Sequence, residues 1–186
     1  MEEVEFYPVN VAGVERRLPL MEVAPGVRIA VLNILGDNEL VQAAARALAP
    51  KLPPETEYLV TAETKSIPLV YALSVESNLP YIVLRKSYKP YMGEAISAET
   101  LSITTNKPQT LYLDAKDRHA IQGKRVVLID DVISTGSTLQ GMRLIMQKAN
   151  AQVIAEAAIF TEGDRARWSN VIALGHLPVF TSNTSS

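Results

Sequence analysis

Asp130 and Asp131 stand side by side after four apolar residues, Val126, Val127, Leu128 and Ile129. Two more apolar positions follow, Val132 and Ile133, and then the small hydroxylated stretch Ser134-Thr135-Gly136-Ser137-Thr138. Paired carboxylates suit the two neighbouring hydroxyls of a ribose, or a divalent metal. Hydroxyls and free amides at the start of a helix suit a phosphate monoester. Together they describe a site for a ribose 5-phosphate. The uninterrupted apolar run suggests a strand buried on both faces, as in a parallel sheet. Ligands of such sheets bind beyond the carboxyl ends of the strands, where these residues fall. Each residue alone would serve as an ordinary helix cap; their combination carries the reading. The glycine-rich fingerprints of nucleoside triphosphate and dinucleotide folds are absent from the sequence.

Two further segments fall at strand ends. Glu63, Thr64, Lys65 and Ser66 join a strand to a helix, and the turn amides together with Lys65 could hold a diphosphate. A capped helix start with a solvated lysine is the plainer alternative. Arg85 and Lys86 directly follow another strand, and two cations there suit diphosphate oxygens. Glu162 is a candidate for contact with a base, or a helix cap. His119 and His176 are the only histidines and are too isolated to form a metal site, so both read as surface residues. Arg167 and Trp168 could cover a base pocket or pack the C-terminal segment, and packing is the plainer reading.

The chain of 186 residues, 47% hydrophobic, can bury one substantial core and reads as one domain, 1–186. A formal net charge of -2 offers no clustered basic surface for nucleic acid or an acidic membrane. Cysteine is absent, which excludes disulfides and thiolate chemistry. The acidic N-terminus and the lack of a long apolar run predict a cytoplasmic protein without a membrane span.

Along the chain, 4–23 alternates as a hairpin around Gly13, Pro25 and Gly26 mark a turn, and 27–32 reads as a strand. A helix over 38–49 closes at Pro50. Strands at 58–62 and 81–84 flank a helix over 67–77. The segment 86–98 reads as a mobile lid, and 99–104 and 109–114 as an antiparallel pair turning at Asn106, Lys107 and Pro108, so that 86–114 forms lid and hairpin. Strand 126–130 leads into helix 137–149, strands 152–160 and 171–174 close the domain, and 181–186 reads as a disordered tail. The pattern is an α/β fold, a parallel sheet flanked by helices, with an inserted antiparallel hairpin.

The run 126–138 resembles the phosphoribosyl pyrophosphate motif of the type I phosphoribosyltransferases: apolar strand, two acids, two positions, then a Thr-Gly-Ser-Thr loop. Glu63 to Ser66 match the family's pyrophosphate loop, and Arg85-Lys86 the basic pair before its lid, which here also holds Lys89 and Tyr91. The stretch 58–90 resembles the xanthine members, and Leu32-Asn33 resembles them too, with Asn33 at a base-contacting position. The resemblance implies a purine enzyme of the adenine or xanthine type, acting on phosphoribosyl pyrophosphate with Mg²⁺. In it Asp130 and Asp131 serve catalysis and hold the metal, directly or through water; Ser134 to Thr138 hold the 5-phosphate, and a homodimer is expected. Three departures stand out. Ser66 replaces a usual glycine and must avoid a positive φ. Ser134 replaces the acid of the hypoxanthine-guanine branch, and Gly163 the lysine of xanthine-specific members. A regulatory protein that binds phosphoribosyl pyrophosphate without catalysis is the alternative, and a synthetase or pyrimidine enzyme on the same fold is a third.

Overall fold

The computed structural model describes residues 5–101 and 108–181. Strands β1 (Phe6–Val11) and β2 (Val14–Ala24) form a hairpin, closed by Ala12 and Gly13 at φ 51° and 90°. Two positive φ values in succession give the turn a twist that matches the strands. After the turn at Gly26 comes β3 (Val27–Ala30), antiparallel to β2. Helix α1 (Asn38–Leu48), strand β4 (Tyr58–Ala62), helix α2 (Ile67–Ser77) and strand β5 (Tyr81–Leu84) follow. Strands β6 (Ile96–Leu101) and β7 (Pro108–Leu113) pair antiparallel, and helix α3 (Ala115–Ile121) leads to β8 (Arg125–Ile133). Helix α4 (Ser137–Lys148), β9 (Gln152–Glu162), β10 (Ile172–Leu177) and β11 (Val179–Thr181) complete the order.

Five strands build one parallel sheet in the order β10-β9-β8-β4-β5. From β4 the chain passes through α2 to β5 on one side, whereas from β8 it passes through α4 to β9 on the other. The boundary between β4 and β8 is therefore the switch point of the sheet, where the loops after the two strands diverge and leave a crevice. Val126, Val127, Leu128 and Ile129 are fully buried, because layers cover both faces of β8. α1, α2 and the N-terminal strands share one apolar core with Val127 and Ile129. α4, Ile121 and the β6–β7 pair share the other with Val126 and Leu128.

A second sheet, β1-β2-β3-β11, forms a cap joined to the main body. Arg16 of β2 reaches Asp37, which starts α1, at 2.7 Å, and Glu39 at 2.8 Å. The same Asp37 caps α1 by accepting from the Leu40 amide at 3.1 Å. One carboxylate thus closes a helix end and ties the cap to the parallel core.

Several expectations shift. β3 ends at Ala30 rather than 32, and α1 ends at Leu48, with a short 3₁₀ turn over Ala49–Lys51 that includes Pro50. The presumed mobile segment 86–98 contains a 3₁₀ turn, Pro90–Met92, anchored by buried Met92, and its last residues already belong to β6. α3 was not anticipated: it buries only Ile121, too little for an apolar periodicity, and relies on Asp114, which accepts from the Lys116 amide. β8 runs through Asp130 and Asp131 to Ile133, because Val132 and Ile133 pair with Phe160 and Thr161 of β9. β9 and β10 extend correspondingly, to Glu162 and Leu177. β11 pairs with β3, so residues 179–181 complete the cap and Thr181, expected to begin the tail, belongs to a strand. Residues 102–107, with Asn106 and Lys107 of the expected turn, and 182–186 lie outside the described residues, and Pro108 already begins β7.

Ile129 is fully buried and directly precedes the carboxylates. Ile129→Ala should destabilise the protein by about 2–5 kcal/mol through the cavity it leaves, measured by urea unfolding. A loss below about 1 kcal/mol would mean that this core collapses around the gap.

Candidate functional site

Asp130 and Asp131 occupy the carboxyl-terminal part of β8, facing the turn after β4. Ser66 lies between them, buried, at φ -80°, an ordinary conformation for a residue with a side chain. Its hydroxyl donates to Asp130 Oδ1 at 2.7 Å and lies 3.2 Å from Asp131 Oδ1. The Asp131 amide donates to Ser66 Oγ at 3.1 Å and to Asp130 Oδ1 at 2.9 Å. The hydroxyl has one proton, and the shorter contact to Asp130 takes it. Burial, and then the neighbouring charge of Asp131, push the Asp130 carboxyl up to about 7.

The loop after β8 turns at Gly136, where φ is 81° and a Cβ would stand 2.7 Å from the Trp168 ring. Glycine is required there on both counts. Thr135 Oγ1 lies 3.0 Å from Ser137 Oγ, and the first amides of α4 open towards the loop. The Arg167 guanidinium donates to the Thr135 carbonyl at 2.6 Å and stacks on the Trp168 ring, 4.7 Å from its centroid. Arg167 and Trp168 therefore brace the hydroxylated loop rather than only packing the C-terminal segment. Their proximity to Glu162 in the chain was the available signal. His176 also has a structural task. The Gly163 carbonyl can only accept, so Nε2 donates to it at 3.0 Å, and Nδ1 accepts from the Thr161 hydroxyl at 2.9 Å.

On the β4 side, Glu63 pairs with Arg85 and accepts from the Lys86 amide at 2.8 Å. Arg85 also donates to the Tyr91 hydroxyl at 2.9 Å. The Glu63–Thr64 peptide is cis. Glu63, Arg85 and Tyr91 thus form one cluster, while the Lys65 and Lys86 side chains are exposed and make no ion pair among the described residues. Lys89 is likewise exposed, with its amide against the Met92 sulfur. Asn33 is exposed, its side-chain oxygen accepting from the Leu35 amide at 3.2 Å.

A cavity of about 840 Å³ runs from the hydroxylated loop, Ser134, Thr135, Ser137 and Thr138, to the cap strands at Val23, Val27, Ile29 and Val179. Glu162, Gly163, Arg167 and Trp168 line it as well, whereas Asn33 does not. Asp130 joins Ser134, Thr135, Gly136 and Thr138 around an adjoining small pocket. The structure therefore brings 130–138, Ser66 and Glu162 to one crevice, with the Glu63–Arg85 cluster at the end of the neighbouring strand.

A carboxylate pair, a hydroxylated loop at a helix start and a capped cavity thus meet at the switch point of the parallel sheet of an α/β protein. The model of the phosphoribosyl transferase domain family matches residues 34–173, and the chain belongs to that family of glycosyltransferase-type enzymes. It is 28% identical, over 163 residues, to the hypoxanthine/guanine phosphoribosyltransferase of Methanococcus voltae, covering 88% of this chain and 80% of that one. It is 30% identical, over 132 residues, to the purine biosynthesis transcriptional repressor of Bacillus subtilis, covering 70% of this chain but only 46% of the repressor. The adenine phosphoribosyltransferase structure from Thermoanaerobacter pseudethanolicus shares the fold, with a TM-score of 0.65 at 16% identity, covering 92% of this chain and 95% of that one. The type I architecture, read from 126–138, and the resemblance to purine members, read from 58–90 and Leu32-Asn33, hold.

Asp130 generates a pH prediction. Its carboxyl, raised from the ordinary 3.8 to about 7, keeps its proton in the folded chain where the unfolded chain has lost it. The ligand-free protein should therefore lose stability as pH rises from about 4 to about 7. Asp130→Asn should flatten that part of the profile. A urea midpoint with the same pH slope in both proteins would contradict the assignment.

Proposed function

We propose that this protein transfers the 5-phosphoribosyl group of phosphoribosyl pyrophosphate to a ring nitrogen of a purine base, releasing diphosphate. The observation that carries the proposal is the meeting of Asp130, Asp131 and the 134–138 loop with the Ser66 turn, beside a cavity deep enough for a base. In this reading the amides and hydroxyls of Ser134, Thr135, Ser137 and Thr138 hold the 5-phosphate, and Gly136 lets the backbone approach it. Asp130 and Asp131 hold the ribose hydroxyls. As the bond to diphosphate breaks, positive charge grows at C1 of the sugar, and the two carboxylates favour it. Lys65 and Lys86, exposed beside the turn, meet the negative charge on the departing diphosphate. Thr64 and the backbone of the same turn position it. Glu63 holds Arg85 in place and, with Tyr91, orients the guanidinium; Lys89 extends the positive rim.

Phosphoribosyl pyrophosphate is a polyanion, and the donor set fits Mg²⁺. Asp130 and Asp131 are adjacent oxygen ligands, and no cluster of three or more acidic or histidine residues that could hold a metal exists among the described residues. A small hard cation bound by one or two carboxylates completes its shell with water and substrate oxygens. When bound there, it would neutralise charge on the leaving diphosphate.

The base is the open end of the site. The adenine or xanthine type expected from the sequence finds support in structural neighbours named for adenine, whereas curated relatives are named for hypoxanthine and guanine. A homodimer is part of the proposal, supported by α2. Apolar residues cover all sides of this helix, and Tyr71 and Val75 are left 58% and 64% exposed beside Tyr81. A cytoplasmic setting completes it; among the described residues no helix is long and apolar enough to cross a membrane.

Purified protein with Mg²⁺ and phosphoribosyl pyrophosphate should convert at least one of adenine, guanine, hypoxanthine and xanthine to its nucleotide. Replacing Asp130 and Asp131 together by alanine should lower kcat by at least ~100-fold while leaving the folded spectrum intact. Phosphoribosyl pyrophosphate binding without turnover of any base would instead favour the regulatory reading, for which the repressor relative is the supporting observation. Tyr71→Asp combined with Val75→Asp should shift the protein from dimer to monomer in sedimentation; an unchanged mass would remove α2 from the interface.

A further inference from the structure

Glu162 ends β9 and is only 7% exposed. Its backbone carbonyl accepts from the Trp168 indole at 3.1 Å, but its carboxylate has no hydrogen-bond or ion-pair partner among the described residues. No enclosed side-chain oxygen among the described residues lacks a partner, so the Glu162 oxygens open onto the space beside them. Burial alone pushes its pKa up, with no compensating cation. The side chain lines the cavity of about 840 Å³. The cation on the same wall, Arg167, is already turned to the Thr135 carbonyl and the Trp168 ring. The carboxylate therefore takes its donors from whatever occupies the cavity, water or ligand.

Within the phosphoribosyl-transfer reading, on which this inference rests, the occupant of that end of the cavity is the base. We propose that Glu162 reads the base by accepting from two adjacent N–H groups, which makes a 2-amino-6-oxopurine, guanine, the preferred substrate. Guanine carries N1–H and its 2-amino group side by side on one edge, and the two carboxylate oxygens can accept from both. Hypoxanthine keeps N1–H alone. Adenine sets one amino N–H beside an unprotonated N1, whose lone pair would face the second oxygen. Xanthine places a carbonyl where guanine has its amino group, oxygen against oxygen. The apolar cap wall, Val27, Ile29 and Val179 among its residues, suits the flat face of any purine and discriminates none of them. Edge recognition by Glu162 thus decides the ranking: guanine first, hypoxanthine next, xanthine last. It shifts the preference away from the adenine or xanthine type that the sequence suggested.

The test measures kcat/KM for the four bases, and binding of each base to protein saturated with phosphoribosyl pyrophosphate, in the wild type, Glu162→Gln and Glu162→Ala. The wild type should prefer guanine to xanthine by at least ~100-fold, since a site built around donors rejects an analogue that lacks them. Glu162→Gln should lose at least tenfold on guanine and narrow its margin over xanthine, because the amide can donate to the 2-carbonyl. Affinity for phosphoribosyl pyrophosphate alone should stay within twofold in both variants. A base ranking that neither substitution moves, or a wild type that prefers xanthine, overturns the proposal. Guanine bound through Glu162 but never converted supports it and defeats the transfer reading instead, so the two failures are distinguishable.

Discussion

The contact on which the site depends is the one between Ser66 and the carboxylates of β8. A single hydroxyl bridges the turn after β4 and the end of β8, donating to Asp130 and accepting from the Asp131 amide. Burial, and then the neighbouring Asp131 charge, make a carboxylate costly at Asp130, and the rise in its pKa expresses that cost. The hydroxyl and the Asp131 amide offset part of it, and they also fix the distance between two loops that belong to different βα units. The parallel sheet makes this possible, because β4 and β8 are hydrogen-bonded neighbours whose chains leave in opposite directions.

The rest of the crevice is arranged around that point. The hydroxylated loop follows Asp131 after two residues that stay in the sheet, so its position is inherited from the β8–β9 register. Arg167 and Trp168 press on the loop from the opposite side. The cap strands close the far end of the cavity, and the Arg16–Asp37 pair holds them to the core. In the proposed reading the sugar phosphate meets the ends of the parallel strands, and the base lies between Glu162 at the end of β9 and the antiparallel cap.

Much of this was legible in the sequence where local pattern and burial agree. The apolar run of Val126 to Ile129 suggested a doubly covered strand, and the small hydroxylated residues around Gly136 suggested the loop that follows it. Pairings between distant segments were not legible. β11 is a short stretch whose identity as a strand comes only from β3, and α3 has too small an apolar face to produce a period. The strand boundary was misplaced at Asp130 because acidic residues usually mark an end, and only the β9 register shows why β8 continues. Ser66 looked like a defect in the turn, since its partners lie more than sixty residues away. Arg167 and Trp168 were read mainly as packing for the same reason: their nearness to Glu162 hinted at the cavity, but nothing in the sequence places them on the loop 134–138.

The central claim is that this crevice moves a phosphoribosyl group rather than merely holding one. Phosphorus NMR of the protein with Mg²⁺, phosphoribosyl pyrophosphate and the four purines, added one at a time, tests it directly. The account predicts that the diphosphate-ester signals give way to free diphosphate and a nucleoside monophosphate in step, and only when an accepted base is present. Unchanged signals with every base, at protein concentrations high enough to bind the phosphoribosyl pyrophosphate, would contradict it.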